Sequence, residues 1–241
     1  MWAEIVKQLL IGVLSVYVLF GAFLFFAQNS LIYYPDNTPH EDCAAFPQQE
    51  RYNNTRMHVL PGDDRALIVY HGNAGRACHR IYLSPFTQRT LIIVEYDGFA
   101  GQGRPSSTAH HQNVRDAHAW AQTQGFTDIA VLGESLGSGL AAYHAHLGGV
   151  SKVALLSPYR HLHEVAQHHY RVFPARVLLR QRYATLPYLE AFEGEILILH
   201  GRRDQIIPAR LSEGLPGRRL VVDAGHNDLL SHADELSAFL D

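Results

Sequence analysis

Ile129-Ala130-Val131-Leu132-Gly133-Glu134-Ser135-Leu136-Gly137-Ser138-Gly139 is the stretch on which the reading of this chain turns. Four apolar residues of strand length run into the pattern G-x-S-x-G, and a segment with helical spacing, 136–147, follows. Strand, sharp turn and helix in that order would lift Ser135 Oγ above the edge of a sheet. Glycine on both sides would let the backbone pass close to its neighbours. The bare pattern arises by chance roughly one time in ten in a chain of this length, so its weight comes from that placement. The competing reading is a glycine-rich turn with a spectator serine.

Outward from this stretch, apolar runs of strand length recur at 66–70, 91–96, 153–156, 196–200 and 220–222. They are continuous instead of alternating, which suits strands covered on both faces of a parallel sheet. Between them lie segments of helical spacing, 110–124 with Val114, Ala117, Trp120 and Ala121, and 227–240 with Leu229, Leu230, Ala233, Leu236 and Phe239. The alternation predicts an α/β fold with a doubly wound, mostly parallel sheet. Residues 57–60 add a preceding antiparallel strand. The intervals 97–109 and 157–195 are longer than the others and are assigned to the rim where sites form, the second as a small, partly helical cap insert at about 158–194.

A serine hydroxyl needs a base to take its proton, and the base needs a third group to fix its tautomer. Asp204 follows the run 196–200 and His226 follows the run 220–222, so acid and base both fall just beyond strands, in the chain order Ser, Asp, His. Asp223 and Asp228 are nearer His226 in sequence, but Asp223 ends a strand and Asp228 stands where it would cap the next helix. Catalytic Ser135, Asp204 and His226 are therefore expected together. His71-Gly72-Asn73-Ala74-Gly75 closes the run 66–70 in a turn whose free backbone N–H groups suit an oxyanion. The donors expected are the backbone N–H groups of Asn73 and Leu136. The plainer reading is a structural turn.

Residues 9–27 carry no charge, and as a helix they would span roughly 28 Å, about one hydrocarbon core. Trp2 precedes the run and Tyr33 and Tyr34 follow it, at the levels of the two interfaces. A transmembrane anchor is the favoured reading over a cleaved signal peptide or a buried core helix. Lys7 before the run, with Asp36, Glu41 and Asp42 after it, places the rest of the chain on the non-cytoplasmic side. The expected organisation is an anchor over 1–30, a linker over 31–52 and one hydrolase domain over 53–241.

In a chain of 241 residues the part after the anchor has room for one such domain. The formal charge of −3, without a basic stripe interleaved with aromatics, argues against nucleic acid as a partner. Cys43 and Cys78 are the only cysteines, too few for a disulfide framework or a cysteine-rich zinc site. A single bridge and two free thiols both stay open. His161, His163, His168 and His169 suggest a metal, but they lack an H-E-x-x-H spacing.

With these residues the chain resembles the α/β-hydrolase superfamily, and within it the membrane-anchored group similar to the fungal bud-emergence-like proteins. The likeness runs through Leu31-Ile32-Tyr33-Tyr34-Pro35, the turn His71 to Gly75, GESLGSG at 133–139, LILHGRRD at 197–204, Ile207-Pro208 and Gly225-His226-Asn227. It implies a serine triad and an oxyanion hole at the positions given, with no cofactor or metal. It departs at Tyr96-Asp97-Gly98-Phe99-Ala100-Gly101-Gln102-Gly103-Arg104-Pro105-Ser106, where the loop beside the site is altered. The expected activity is hydrolysis of an acyl ester or thioester, with a lipid-like ester at the membrane surface favoured by the basic and apolar cap. Amide hydrolysis, acyl transfer and a non-catalytic anchored binding protein are the alternatives.

Overall fold

The computed structural model describes residues 1–38 and 43–241, so Glu41 and Asp42, counted above in the charge balance, lie outside the described residues. Helix α1 (Trp2–Ile32) comes first. Strands β1 (Tyr34–Pro35), β2 (Gln48–Tyr52), β3 (Thr55–Leu60), β4 (Ala66–Tyr70), β5 (Ala74–Gly75) and β6 (Thr90–Glu95) follow, with a 3-10 segment at Ala77–Phe86. Then come α2 (Ser107–Thr123), β7 (Ile129–Glu134), α3 (Ser138–Leu147) and β8 (Lys152–Leu156). The cap carries the short helices α4 (Leu162–His169), α5 (Ala175–Leu178) and α6 (Leu186–Leu189). Strands β9 (Glu195–Gly201) and β10 (Arg218–Val222) and helix α7 (Asp234–Leu240) complete the chain.

The main sheet has the order β10-β9-β8-β7-β4-β6-β3-β2, parallel from β10 to β6 and antiparallel through β3 and β2. Its centre explains the continuous apolar runs. In β4, Ala66, Ile68 and Tyr70 pack into one cluster with Ile92, Val131 and Leu155, while Leu67 and Val69 pack into another with Leu91, Ile93 and Leu132. Both faces are buried, so no position in the strand is left for a polar residue. The helix expected at 110–124 begins earlier, at Ser107, because Ser106 caps it by accepting the Ala109 N–H at 3.1 Å. The segment 227–240 is not one helix but a 3-10 turn, Leu229–His232, followed by α7.

The stretch 31–52, expected as a linker, is structured at both ends. β1 pairs in parallel with β5, and β2 forms the outer edge of the main sheet. The sequence Gln-Gln-Glu-Arg-Tyr of β2 is polar because an edge strand keeps much of its surface in water. Cys43 and Cys78 are joined in a disulfide across 35 residues, so of the two readings left open the bridge holds. Helix α1 is long and apolar enough to cross a membrane, and only 6% of its most apolar window is buried. That exposure does not suit a core helix.

Two buried histidines give the fold a pH dependence. His110 accepts from the Tyr183 hydroxyl at Nδ1 (2.7 Å) and donates from Nε2 to the Asp97 carbonyl (2.9 Å), so it sits as a neutral ring. Burial depresses its pKa to about 4, and burial depresses that of His144 to about 3. In the unfolded chain both titrate near 6.5. The unfolded state therefore takes up protons first as pH falls, and stability present above pH ~6.5 is withdrawn between there and about 4 for His110 and about 3 for His144. At about 1.4 kcal/mol per unit of depression, the pair should withdraw several kcal/mol. Denaturant titrations of the detergent-solubilised chain should show the unfolding free energy dropping over this window. A flat profile would contradict the burial of these rings.

Candidate active site

The end of β7 carries Ser135 into a strained turn with φ of 50°. The turn is tight enough that a Cβ on Gly137 would fall 2.0 Å from the Tyr70 carbonyl, and one on Gly133 2.6 Å from Ser138 Cα. Only glycine fits at either place. Tyr159, wholly buried, donates its hydroxyl to the Leu136 carbonyl at 2.9 Å and pins the far side of the turn.

Beyond β9, Asp204 lies buried, and its carboxylate is fully occupied. Oδ1 accepts the backbone N–H groups of Ile206 (2.9 Å) and Ile207 (2.8 Å). Oδ2 accepts the Ser157 hydroxyl (2.7 Å) and meets His226 Nδ1 at 2.7 Å. His226 Nε2 stands 3.0 Å from Ser135 Oγ. The structure thus brings together in one line the three side chains picked from the sequence. Burial pushes the Asp204 carboxyl up, but the bonds from the histidine side and the Ile207 N–H outweigh it and hold the group well below the usual carboxylate range. His200 contributes less by geometry than its proximity suggests, since its Nε2 is 3.5 Å from Oδ2 and bonds instead to the Ile207 carbonyl at 2.7 Å.

An ionised Asp204 accepts a proton-bearing Nδ1, which leaves Nε2 of His226 free to accept from Ser135. The other nearby acids point elsewhere. Asp223 is exposed beside Arg203 at 3.3 Å. Asp228, expected to cap the following helix, instead takes the Gly225 N–H at 2.7 Å and closes the turn that presents His226.

The turn after β4 passes so near Ser135 that a Cβ on Gly72 would lie 3.6 Å from Ser135 Cβ. Asn73 and Leu136, the expected oxyanion donors, both line the cavity that holds Ser135 and His226. Leu136 lies in the first turn of a 3-10 helix, Ser135–Gly137, where backbone N–H groups lack helical partners. Asn73 is held by the segment after α1: its side-chain amide donates to the Ile32 carbonyl at 2.6 Å, and its carbonyl accepts the Tyr34 N–H at 2.8 Å.

Two residues in contact with this line of side chains escaped the sequence reading. Ser157, with φ of 50°, holds the outer lone pair of Asp204. Its only signal was its place at the end of an apolar run. Glu134, between Gly133 and Ser135, receives Arg80 Nε at 3.1 Å and the Tyr82 hydroxyl at 2.6 Å, so a neutralised pair lines the cavity beside the serine. Of the four histidines considered for a metal, His169 bonds the Ile206 carbonyl at 2.8 Å and His168 meets Arg210 at 2.7 Å. Among the described residues one group, Cys43, His58 and Cys78, brings ligand atoms within 4.8 Å of one another, and its two sulfurs are joined in the bridge.

No family model matches the chain. It is 31% identical over 232 residues to an uncharacterized protein of Mycobacterium tuberculosis, covering 86% of this chain and 83% of that one. An esterase of Pyrococcus furiosus has a similar structure, with a TM-score of 0.67 at 14% identity over 87% of this chain and 97% of its own. A meta-cleavage product hydrolase of Pseudomonas fluorescens matches with a TM-score of 0.60 at 16% identity, over 81% and 96%. A bacterial membrane phospholipase A matches with a TM-score of 0.60 at 18% identity, over 100% of this chain and 98% of that one.

Proposed function

Because this chain has the fold of α/β-hydrolases, we propose that it is a membrane-anchored serine hydrolase that cleaves an acyl ester or thioester through Ser135, His226 and Asp204. The observation that carries this reading is the relay of 3.0 Å and 2.7 Å from Ser135 Oγ through His226 to a carboxylate held ionised. Ser135 Oγ attacks the acyl carbonyl while its proton passes to His226 Nε2, and Asp204 stabilises the imidazolium that forms. The N–H groups of Asn73 and Leu136 take the charge that develops on the carbonyl oxygen. His226 returns the proton to the departing alcohol or thiol, leaving an acyl-serine. Water then adds to that ester with His226 as base, and the carboxylic acid leaves as Ser135 is restored.

The length and exposure of α1 support a single-pass anchor, as does the likeness to a membrane phospholipase A along the whole chain. A cleaved signal peptide fits less well, since the last turns of α1 hold the Asn73 turn and line the cavity. The charge order, with Lys7 before the uncharged run and Asp36 after it, supports a hydrolase domain on the non-cytoplasmic side. The Cys43–Cys78 bridge supports the same side, since disulfides persist in oxidising compartments.

A chromogenic short-chain ester tests the chemistry. The detergent-solubilised chain should release a burst of alcohol equal to the enzyme present, followed by slower turnover or by none, as an acyl-serine accumulates. Release of alcohol in which no acyl-serine can be trapped by acid quench and added methanol never captures the acyl group would overturn the two-step scheme.

A further inference from the structure

The cap does not rest on the sheet alone. It is docked along α1. The rings of Tyr17 and Phe173 stack at 4.7 Å, and the Tyr17 hydroxyl donates to the Val172 carbonyl at 3.0 Å. Gly21 is buried under Phe173, where an added Cβ would stand 3.4 Å from the ring. Nearer the end of the helix, Gln28 accepts the Arg180 N–H at 2.7 Å and Asn29 accepts from Gln181 at 2.8 Å. From Tyr17 to Asn29 this docking runs about 18 Å along the axis. A hydrocarbon layer of roughly 30 Å counted from Lys7 ends about 20 residues later, near Ala27. Phe173 therefore contacts α1 within the depth of that layer. A tyrosine hydroxyl there needs a partner, and the cap carbonyl supplies one.

Leu24, Gln28 and Leu31 of α1 line the same cavity as Ser135 and His226, with Phe173 and Leu179 of the cap opposite. Its volume, about 1070 Å³, is just above the ~300–1,000 Å³ usual for small-molecule sites. A short, water-borne ester needs neither that volume nor a wall inside a bilayer. On the cap, Val172 and Val177 are 71% and 74% exposed in the isolated chain, a cost in water that hydrocarbon removes. Exposed Arg171, Arg176 and Arg180 flank them, with stems long enough to carry charge back toward anionic headgroups.

We propose that the last turns of α1 form one wall of the acyl pocket, and that the substrate is a long-chain acyl lipid drawn sideways from the bilayer between α1 and the cap. This rests on the serine-hydrolase reading and adds to it the class of substrate and its route. Leu24 is then a specificity-determining residue. The same chain chemistry occurs in water-borne acyl thioesters, and the test separates the two sources.

The full chain is reconstituted in phosphatidylcholine vesicles containing phosphatidylglycerol. It is offered a palmitoyl glycerolipid in the vesicle, octanoyl-coenzyme A, whose shorter chain leaves it largely in the water phase, and a butyryl ester. The vesicle lipid should be preferred by kcat/KM over both others. Leu24→Trp, which fills the pocket from the helix side, should lower the ratio of palmitoyl lipid to butyryl ester by about tenfold or more. Leu19→Trp, on the exposed side of the same helix, should leave the ratio unchanged. Equal effects of the two variants, or preference for the water-borne thioester, would overturn the proposal. A second arm needs no turnover. In Ser135→Ala, a lipid with a diazirine at the end of its palmitoyl chain should crosslink to residues 24–31 and 173–179. Crosslinks confined to outward positions such as Leu19 would overturn the pocket even if hydrolysis is observed, whereas the expected crosslinks without hydrolysis in the unmodified chain would leave the pocket standing and sink the hydrolase reading.

Discussion

Asp204→Asn should lower kcat for an acyl ester by about 10⁴ and leave the fold intact. The asparagine carbonyl can still accept the Ile206 and Ile207 N–H groups that Oδ1 accepts now. Its amide nitrogen then takes the place of Oδ2, which at present receives the Ser157 hydroxyl and faces His226 Nδ1. A donor in that place turns the imidazole to the tautomer with its proton on Nε2. That nitrogen then points a proton at Ser135 and cannot accept one. Turnover of a butyryl ester, with the thermal midpoint measured in parallel, checks the expectation. A loss below tenfold with an unchanged midpoint would mean that Asp204 does not orient the base. Because Asp204 is held ionised far below neutral pH, the wild-type activity should not vary with its titration near neutrality.

The parallel strands were legible because β4, β6, β7, β8 and β9 are buried on both faces and carry unbroken apolar runs. The edge is different. β2 pairs along one side only, its residues are mostly exposed, and nothing in Gln-Gln-Glu-Arg-Tyr marks it as a strand until β3 is seen beside it. β1 and β5 are two residues each and exist by mutual pairing across the Asn73 turn, a contact no periodicity reports. The break between Leu229–His232 and α7 was hidden by an apolar spacing that suits either one helix or two.

Ser135, Asp204 and His226 could be picked from the sequence because each lies one turn past a strand, and strand ends are where an α/β sheet gathers its functional groups. The residues that support them gave weaker signals. Ser157 also ends a strand, but a serine there reads as an ordinary turn residue. The Tyr159 bond to the elbow and the Ile32 bond to Asn73 join positions 23 and 41 residues apart. The docking of the cap on α1, at Tyr17 to Val172 and Gln28 to Arg180, spans 155 and 152 residues. Such contacts follow from the closed fold. The two cysteines could be counted but not paired, because pairing depends on the approach of the strap after α1 to the segment Ala77–Phe86.

Ser135→Ala should cost about 10⁶ in kcat, the magnitude seen when the serine of such a triad is removed from a protease. The variant removes only one oxygen from a turn whose shape depends on Gly133, Gly137 and Tyr159, so it should fold. The most direct test of the central claim is covalent. A fluorophosphonate reacts with a serine that is activated by a base and leaves spectator serines unmodified. Incubated with the full chain in detergent, it should add one label, and peptide mapping should place that label on Ser135. The label should be absent from Ser135→Ala and much reduced in Asp204→Asn. A probe that leaves the intact chain unmodified, or labels Ser135→Ala equally, would contradict the account.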